Sequence, residues 1–578
     1  MNKNRYYIKR FIPYITKYKF LIIVSLIFLL LSTLCSMLIP LLSKQAIDKF
    51  IQAKDIHGLF KLAILFAITA LILFISKIIQ IYTTNLAGQR IMKDLRHDLF
   101  KHMENLAVSY FSREPSGKVI TRITNDVENM NQLLSSGIVA LLGDLTLIVF
   151  AFFFVFYINF KLALIVVAPM PLAIIAAFLL GEKMERLYEK VRDFVVKMNI
   201  EMQETLTGIV IVKTFGAENR QREKFGKIAT GYRKIFHKAQ MTSIMLRQSI
   251  NILSFISITL IIVFGGVMAV HGKATIGTIV AFLAYLNSLY GPLRDLSDKF
   301  SILQNAISSM KKLSGFLDAK DIIADPEKPV YKEDIEGDVA LKNVYFSYDK
   351  KTPTLTDINL NAQHGEKIAI VGFTGAGKST IANLVLRFYD PDKGVVEIDG
   401  TDIRKFKKKF IRSFMGMVLQ NVFIFKGTVR ENITLGKKDI TDEEIIRAAK
   451  EIGVHEFIVN LPKGYDTELS TEGKNISQGE RQLISFTRAL VYNPKILLLD
   501  EATASIDTNT EEAIEKGLKK LMEGRTSIVI AHRLATIKNA DRIYVINRGK
   551  VVEEGTHAAL MKKRGLYYEL YTMQFEKV

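Results

Sequence analysis

The chain has 578 residues, 49% of them apolar, and a formal charge of +20, so it is long enough for several domains. Its single cysteine, Cys35, excludes an internal disulfide framework. Such charge can mark a nucleic-acid binder, but no basic, aromatic-rich single-strand module or DNA-reading motif accompanies it, and the reading is no nucleic acid. Six long apolar runs in the first half supply another cause, namely Lys and Arg gathered on the cytoplasmic side of a membrane and facing anionic membrane lipids.

Lys3, Arg5, Lys9, Arg10, Lys17 and Lys19 come first, with no acid among them, and the uncharged run Phe20 to Leu42 follows. That run is too long for the core of a signal peptide and ends in no convincing cleavage site. It is predicted to stay as a transmembrane helix with its N-terminus inside. Five further spans are expected at Leu59 to Tyr82, Ile138 to Tyr157, Leu162 to Leu180, Ile250 to Val270 and Thr275 to Leu296, each about the twenty residues that a bilayer needs. Six spans return the chain to the side on which it began.

Connections after the second and fourth spans, Asn85 to Gly137 and Gly181 to Ser249, are long and charged. They read as helices continuing into the cytoplasm. Each is broken once, by Pro115 and Gly117 within Tyr110 to Val127 and by Gly216 within Ile211 to Asn219. These turns are either contact points for another domain or simple hairpins. Lys77, Asp144, Asn251 and Asn287 are costly in hydrocarbon unless they meet water or a partner, and structural pairing or snorkelling is weighed ahead of substrate contact.

The expected organisation is a transmembrane domain over residues 1–310, a charged linker with Pro326 and Pro329 over 311–336, and an α/β domain over 337–578. Expected strands include Val339 to Tyr348, Lys367 to Val371, Lys495 to Leu499, Thr526 to Ile530 and Arg542 to Ile546. Within KIAIVGFTGAGKST, the strand ending at Val371 is followed by Gly372, Thr374, Gly375, Gly377, Lys378, Ser379 and Thr380. This is the spacing of a phosphate cradle. Glycines turn backbone N–H groups toward one anion, the helix start adds its dipole, Lys378 reaches the β- and γ-phosphates, and Ser379 holds Mg²⁺. In ILLLDE, a strand ends in two acids: Asp500 suits Mg²⁺ through water, and Glu501 suits deprotonation of the attacking water.

With these motifs in place, the whole chain resembles the ATP-binding cassette exporters built as half-transporters. The resemblance implies a six-span helical transmembrane domain with long cytoplasmic extensions, fused to an α/β P-loop nucleotide-binding domain. It implies an ATP hydrolase, with ATP and Mg²⁺ as cofactors, a second half-transporter as partner and an amphipathic small molecule, such as a drug or lipid, as cargo. Tyr348 matches the family's adenine-stacking aromatic. Gln420 matches the glutamine that reaches metal and water, and Glu472 and Gly473 match the segment touching the partner's loops. Ser477, Gln478, Gly479 and Glu480 lie in the signature that faces the partner's ATP. Ala504 to Asp507 matches the loop crossing between sites, and His532 the γ-phosphate switch; the two cytoplasmic turns match the coupling helices.

The sequence departs from the family in its signature. LSGGQ becomes ISQGE, with Gln478 for a glycine and Glu480 for glutamine; Ala504 also stands for the usual serine and Phe373 for a common proline. Each ATP site joins one chain's cradle and acids to the other chain's signature, so the departure weakens the partner's site and leaves Glu501 and His532 to serve a competent one. A heterodimer is therefore favoured over a homodimer that tolerates ISQGE. A non-transporting regulator or ATP-gated channel on the same scaffold is the alternative, which a replaced Glu501 or His532 would have favoured. The expected location is the bacterial plasma membrane, with both termini and the nucleotide domain cytoplasmic. The chain as read has no N-terminal peptidase-like domain, which argues against a cargo-processing peptide exporter.

Overall fold

The computed structural model describes residues 3–500, 508–531 and 534–575. Its contacts divide the chain into one unit of residues 1–104 and 116–319 and a second of residues 105–115 and 320–578.

In hydrocarbon every backbone N–H and C=O must be paired within the chain, so long apolar runs become helices. Among the described residues of the first unit, six helical stretches are long and apolar enough to cross a membrane: Lys19–Ile51, Ile56–Asn105, Ser116–Ile158, Phe160–Thr207, Glu218–Val270 and Ile276–Asp295. Among the helices are α1 (Lys3–Lys17), α2 (Lys19–Gln45), α3 (Ile56–Asn105), α5 (Val139–Ile158), α6 (Met170–Thr207), α7 (Ile209–Thr214), α8 (Glu218–Leu260) and α9 (Ile276–Leu317); α4 (Val108–Arg113) belongs with the second unit. At 50 residues, α3 is about 75 Å long, more than twice an apolar bilayer core of about 30 Å. The excess is the helical extension beyond the span expected from the charged connections.

The core of this unit gathers Met37, Phe154, Leu162, Ile250, Phe282 and Tyr285. Several of its hydroxyls pair locally, as an apolar solvent favours. Tyr285 donates to the Met37 carbonyl at 2.6 Å, Ser257 donates to the Val166 carbonyl at 3.0 Å, and Ser257 lies 2.9 Å from the Tyr290 hydroxyl. Two polar span residues find protein partners: Asp144 pairs with Lys299, and Asn251 donates to Gln248 at 3.2 Å. Lys77 and Asn287 are exposed. Farther along, α6 and α8 pack as a pair, tied by Glu201, 4% exposed, and Lys224 at 2.7 Å.

The basic N-terminus forms a helix of its own. Lys17 and Tyr18 both bind Asp94 of α3, Tyr14 donates to Asp98 at 2.7 Å, and Arg10 pairs with Asp318 just past α9. Part of the positive charge at the start of the chain is thus matched by protein carboxylates.

The second unit is built on a six-stranded sheet in the order β12-β11-β3-β10-β9-β6. Its strands are β3 (Lys367–Val371), β6 (Met415–Val418), β9 (Ile496–Asp500), β10 (Thr526–Ile530), β11 (Arg542–Asn547) and β12 (Lys550–Gly555). All but β12 run parallel. The central strand β10 is buried at every position, and β9 at all but Asp500, which is why they read as unbroken apolar runs. A four-stranded antiparallel sheet, ordered β2-β1-β4-β5, packs beside it; it holds β1 (Val339–Phe346), β2 (Leu355–Ala362), β4 (Lys393–Ile398) and β5 (Thr401–Asp402). The short pair β7 (Gly427–Thr428) and β8 (Glu468–Leu469) completes the strands of the described residues.

Residues 320–336 lie against this unit. Ile335 is fully buried, Val330 N–H donates to the Lys405 carbonyl at 2.9 Å, and the buried Arg387 donates to the Ala324 carbonyl at 3.1 Å. The turn over residues 105–115, carrying α4, belongs to the same unit. Ala107 N–H donates to the Asp321 carbonyl at 2.7 Å, and Arg113 binds the Asp321 carboxylate at 2.6 Å.

Candidate nucleotide site

Parallel strands deliver their C-terminal ends to one edge of the sheet, where open α/β folds bind ligands. In this sheet Ile530 pairs with both Ile370 and Asp500, and Val418 with Leu499. The cradle after β3, the acid ending β9 and the loop bearing Gln420 after β6 therefore leave the sheet along the same edge.

The cradle's backbone depends on glycine. Gly372 and Gly377 have φ of 153° and 105°, and a Cβ on Gly372 would lie 2.2 Å from the Ile546 carbonyl oxygen, where no side chain fits. Gly375, at φ 80°, faces open space. Thr374 is exposed, and α10 (Lys378–Val385) starts at Gly377. Lys378 is 6% exposed and its Nζ donates to the Gly372 carbonyl at 2.7 Å and the Phe373 carbonyl at 3.1 Å. Burial pushes its pKa down, and the charge of Asp500 opposes that shift. Ser379 Oγ donates to Asp500 Oδ2 at 3.4 Å. A hydroxyl and a carboxylate oxygen meeting at a phosphate cradle are the hard donors that suit Mg²⁺, which keeps several waters and needs few protein ligands. Tyr348 is 48% exposed, its ring edge-on to Phe346 at 4.9 Å, and its hydroxyl donates to Thr380 at 3.2 Å. Nearly half of this residue is exposed, and its hydroxyl reaches the helix that begins at the cradle.

The signature opens a second helix, α11 (Gln478–Val491), with Ser477 as its N-cap. Ser477 Oγ accepts from Glu480 N–H at 3.3 Å, and the Glu480 carboxylate accepts from Ser477 N–H at 2.7 Å. Gly479 is buried. Gln478 is exposed and lines, with Gln420, Glu472 and Arg481, an open cleft of about 380 Å³. Arg481 donates to the carbonyls of Gly473 and Ile476 at 3.0 and 2.9 Å, binding the left-handed turn at Glu472 and Gly473 to the start of α11. The reciprocal cap follows from the S-x-x-E spacing. Arg481 carries no such local signal. Glu501, Ala504, Asp507 and His532 lie outside the described residues.

Comparison with known proteins decides the family. Residues 22–293 match the model of the ABC transporter transmembrane region, and residues 355–504 that of the ABC transporter. The chain is 35% identical over 570 residues to the uncharacterized ABC transporter ATP-binding protein YfiC of Bacillus subtilis, covering 99% of this chain and 94% of that one. It is 36% identical over 575 residues to an ATP-dependent lipid A-core flippase of Desulfotalea psychrophila, covering 99% and 100%. The chain is an ABC transporter. A solved bacterial Atm1-family ABC exporter with ATP bound is similar in structure, with a TM-score of 0.78, 28% identity and coverage of 96% of this chain and 98% of that one. This ABC transporter is thus a multi-pass membrane protein of the exporter half-transporter build, one membrane region fused to one nucleotide-binding domain. It binds and hydrolyses ATP to drive export and works as a dimer.

Proposed function

We propose that this ABC transporter is one half of an asymmetric heterodimer that moves amphipathic small molecules, drugs or lipids among them, out across the bacterial plasma membrane. Both termini and the nucleotide domain then face the cytoplasm. The observation that carries the asymmetry is the cap at the start of α11. A helix start attracts anions through its unpaired N–H groups and dipole, and here the Glu480 carboxylate already accepts the Ser477 N–H. A partner's γ-phosphate would meet that negative charge, together with an exposed Gln478 side chain where the family has glycine. Glutamine at position 480 could accept the same hydrogen bond without the charge.

In this reading Lys378, Ser379, Gln420 and Asp500 hold ATP and Mg²⁺, Glu501 is the base, and His532 meets the γ-phosphate in a site completed by a different chain's signature. Val210, Ile211 and Phe215 at the second cytoplasmic turn are 73%, 65% and 79% exposed, an apolar tip suited to docking on another subunit. The cargo class is supported by relatives named for lipid A-core and by a fatty acid ABC transporter of Mycobacterium tuberculosis, 35% identical over 505 residues.

The chain purified alone in lipid is expected to hydrolyse ATP feebly and to gain activity on co-expression with a half-transporter whose signature is Leu-Ser-Gly-Gly-Gln. In the lone chain, Gln478→Gly with Glu480→Gln should raise turnover at least about twofold to fivefold, from a charge effect of about 0.3–1 kcal/mol at a helix start. A stable homodimer with fast turnover that Glu501→Gln removes would refute the obligate pair. Flux in sealed vesicles, driven by ATP, tests the transport itself.

A further inference from the structure

Tyr389 stands where three parts of the second unit meet. It follows α10, the helix that starts at the phosphate cradle, after a left-handed residue at Arg387 with φ 51°. Arg387 is 3% exposed and donates to the carbonyls of Phe406 at 3.0 Å and Ala324 at 3.1 Å, which fixes the chain just before Tyr389. The Tyr389 ring stands edge-on to Tyr348, with centroids 5.1 Å apart and planes at 88°, and 5.5 Å from Phe346. Its hydroxyl lies 3.5 Å from Ser112 Oγ in the first cytoplasmic turn. Ser112 Oγ also lies 3.0 Å from the Ser109 carbonyl, and between the two hydroxyls either can donate.

We infer that Tyr389 is a positioning residue with two functions: its edge-on ring fixes the half-exposed ring of Tyr348, and its hydroxyl ties that ring to the first cytoplasmic turn. Adenine binding and the docking of the turn are thereby linked. The inference rests on the reading that Tyr348 stacks on adenine. An edge-on ring fixes the orientation of its neighbour through the quadrupole attraction of edge to face. A base laid on Tyr348 restricts the same ring that Tyr389 touches, and linkage requires the effect to run both ways: what holds the turn strengthens base binding, and base binding holds the turn. The sequence alone offers no sign of this, because Ser112 and Tyr389 are 277 positions apart.

The test uses the full chain in lipid, with Glu501→Gln in every sample to stop hydrolysis. ATP is compared with inorganic tripolyphosphate, which lacks the base, and hydrogen exchange is followed over residues 105–115. Tyr348→Ala should weaken ATP binding about threefold to tenfold and leave tripolyphosphate unchanged. Tyr389→Ala should weaken ATP similarly, with no further loss when combined with Tyr348→Ala. Tyr389→Phe keeps the ring but cuts the tie, so the slowing of exchange that ATP confers on the turn should be lost and ATP affinity should fall by less than in Tyr389→Ala, with Ser112→Ala behaving in the same way. Persistence of that protection in Tyr389→Phe, or equal protection from tripolyphosphate, overturns the link while leaving the adenine reading standing. ATP affinity unchanged in Tyr348→Ala overturns the adenine reading and the link with it.

Discussion

Lys378→Ala is expected to weaken ATP binding by about 30-fold or more, the equivalent of at least about 2 kcal/mol for truncating one member of a buried, hydrogen-bonded charge contact. The ammonium sits 6% exposed inside its own loop, held by the Gly372 and Phe373 carbonyls. Its removal takes a positive charge from the site and strands two oriented carbonyls. Arginine does not rescue it, because a planar guanidinium is larger than the enclosed ammonium and binds differently. The pH dependence has a definite sign. Burial lowers the pKa of Lys378, with Asp500 opposing, and phosphate binds the charged form and raises that pKa. Affinity is therefore full below the pKa of the free site and falls as pH rises through and beyond it, at lower pH than for an exposed lysine. Calorimetric titration of ATP into wild type and variant checks both points. Affinity within twofold of wild type for Lys378→Ala would remove this lysine from the phosphate site.

What the sequence made legible was what depends on near neighbours or on solvent. Six apolar runs had to become six helices because lipid leaves no alternative, and the charged periodic stretches beyond them had to continue those helices. The glycine turn after β3 was legible because its glycines, Lys378 and Ser379 lie within one short stretch of chain. Strand β2 was harder to see. Leu355, Ile358, Leu360 and Ala362 are its buried positions, but Asp357 at φ 54° and a register shift opposite Val344 break the alternation. Composition marks residues 311–336 only as charged and proline-bearing. The structure carries α9 on to Leu317 and fixes Ala324 and Val330 through Arg387 and Lys405, contacts made across the fold. The same limit hid the pairing of α1 with Asp94, Asp98 and Asp318, and the meeting of Tyr389 with Ser112. Long-range polar contacts leave no period in the sequence, so their existence follows only from the fold.

Glu501→Gln is expected to lower hydrolysis by about 10²–10⁴-fold, the usual contribution of a positioned general base, while ATP affinity stays close to wild type. The position follows Asp500, the last residue of β9, whose carboxylate meets Ser379 Oγ at 3.4 Å beside the cradle. Glutamine keeps the size and hydrogen-bonding capacity of the side chain but cannot take a proton from water, so binding and chemistry separate. ATP should then stay trapped in the dimer, visible as unhydrolysed nucleotide that co-elutes with the protein on size-exclusion chromatography. The same variant measures the asymmetry. In the assembled pair, near-complete loss of turnover means that the site using this chain's acid does almost all the work. About half the activity remaining would mean that the partner's site hydrolyses ATP by itself, despite facing Gln478 and Glu480, and would sink the asymmetric reading. Loss of ATP binding in Glu501→Gln would instead show that Glu501 helps to hold the nucleotide, and the base would have to be sought elsewhere.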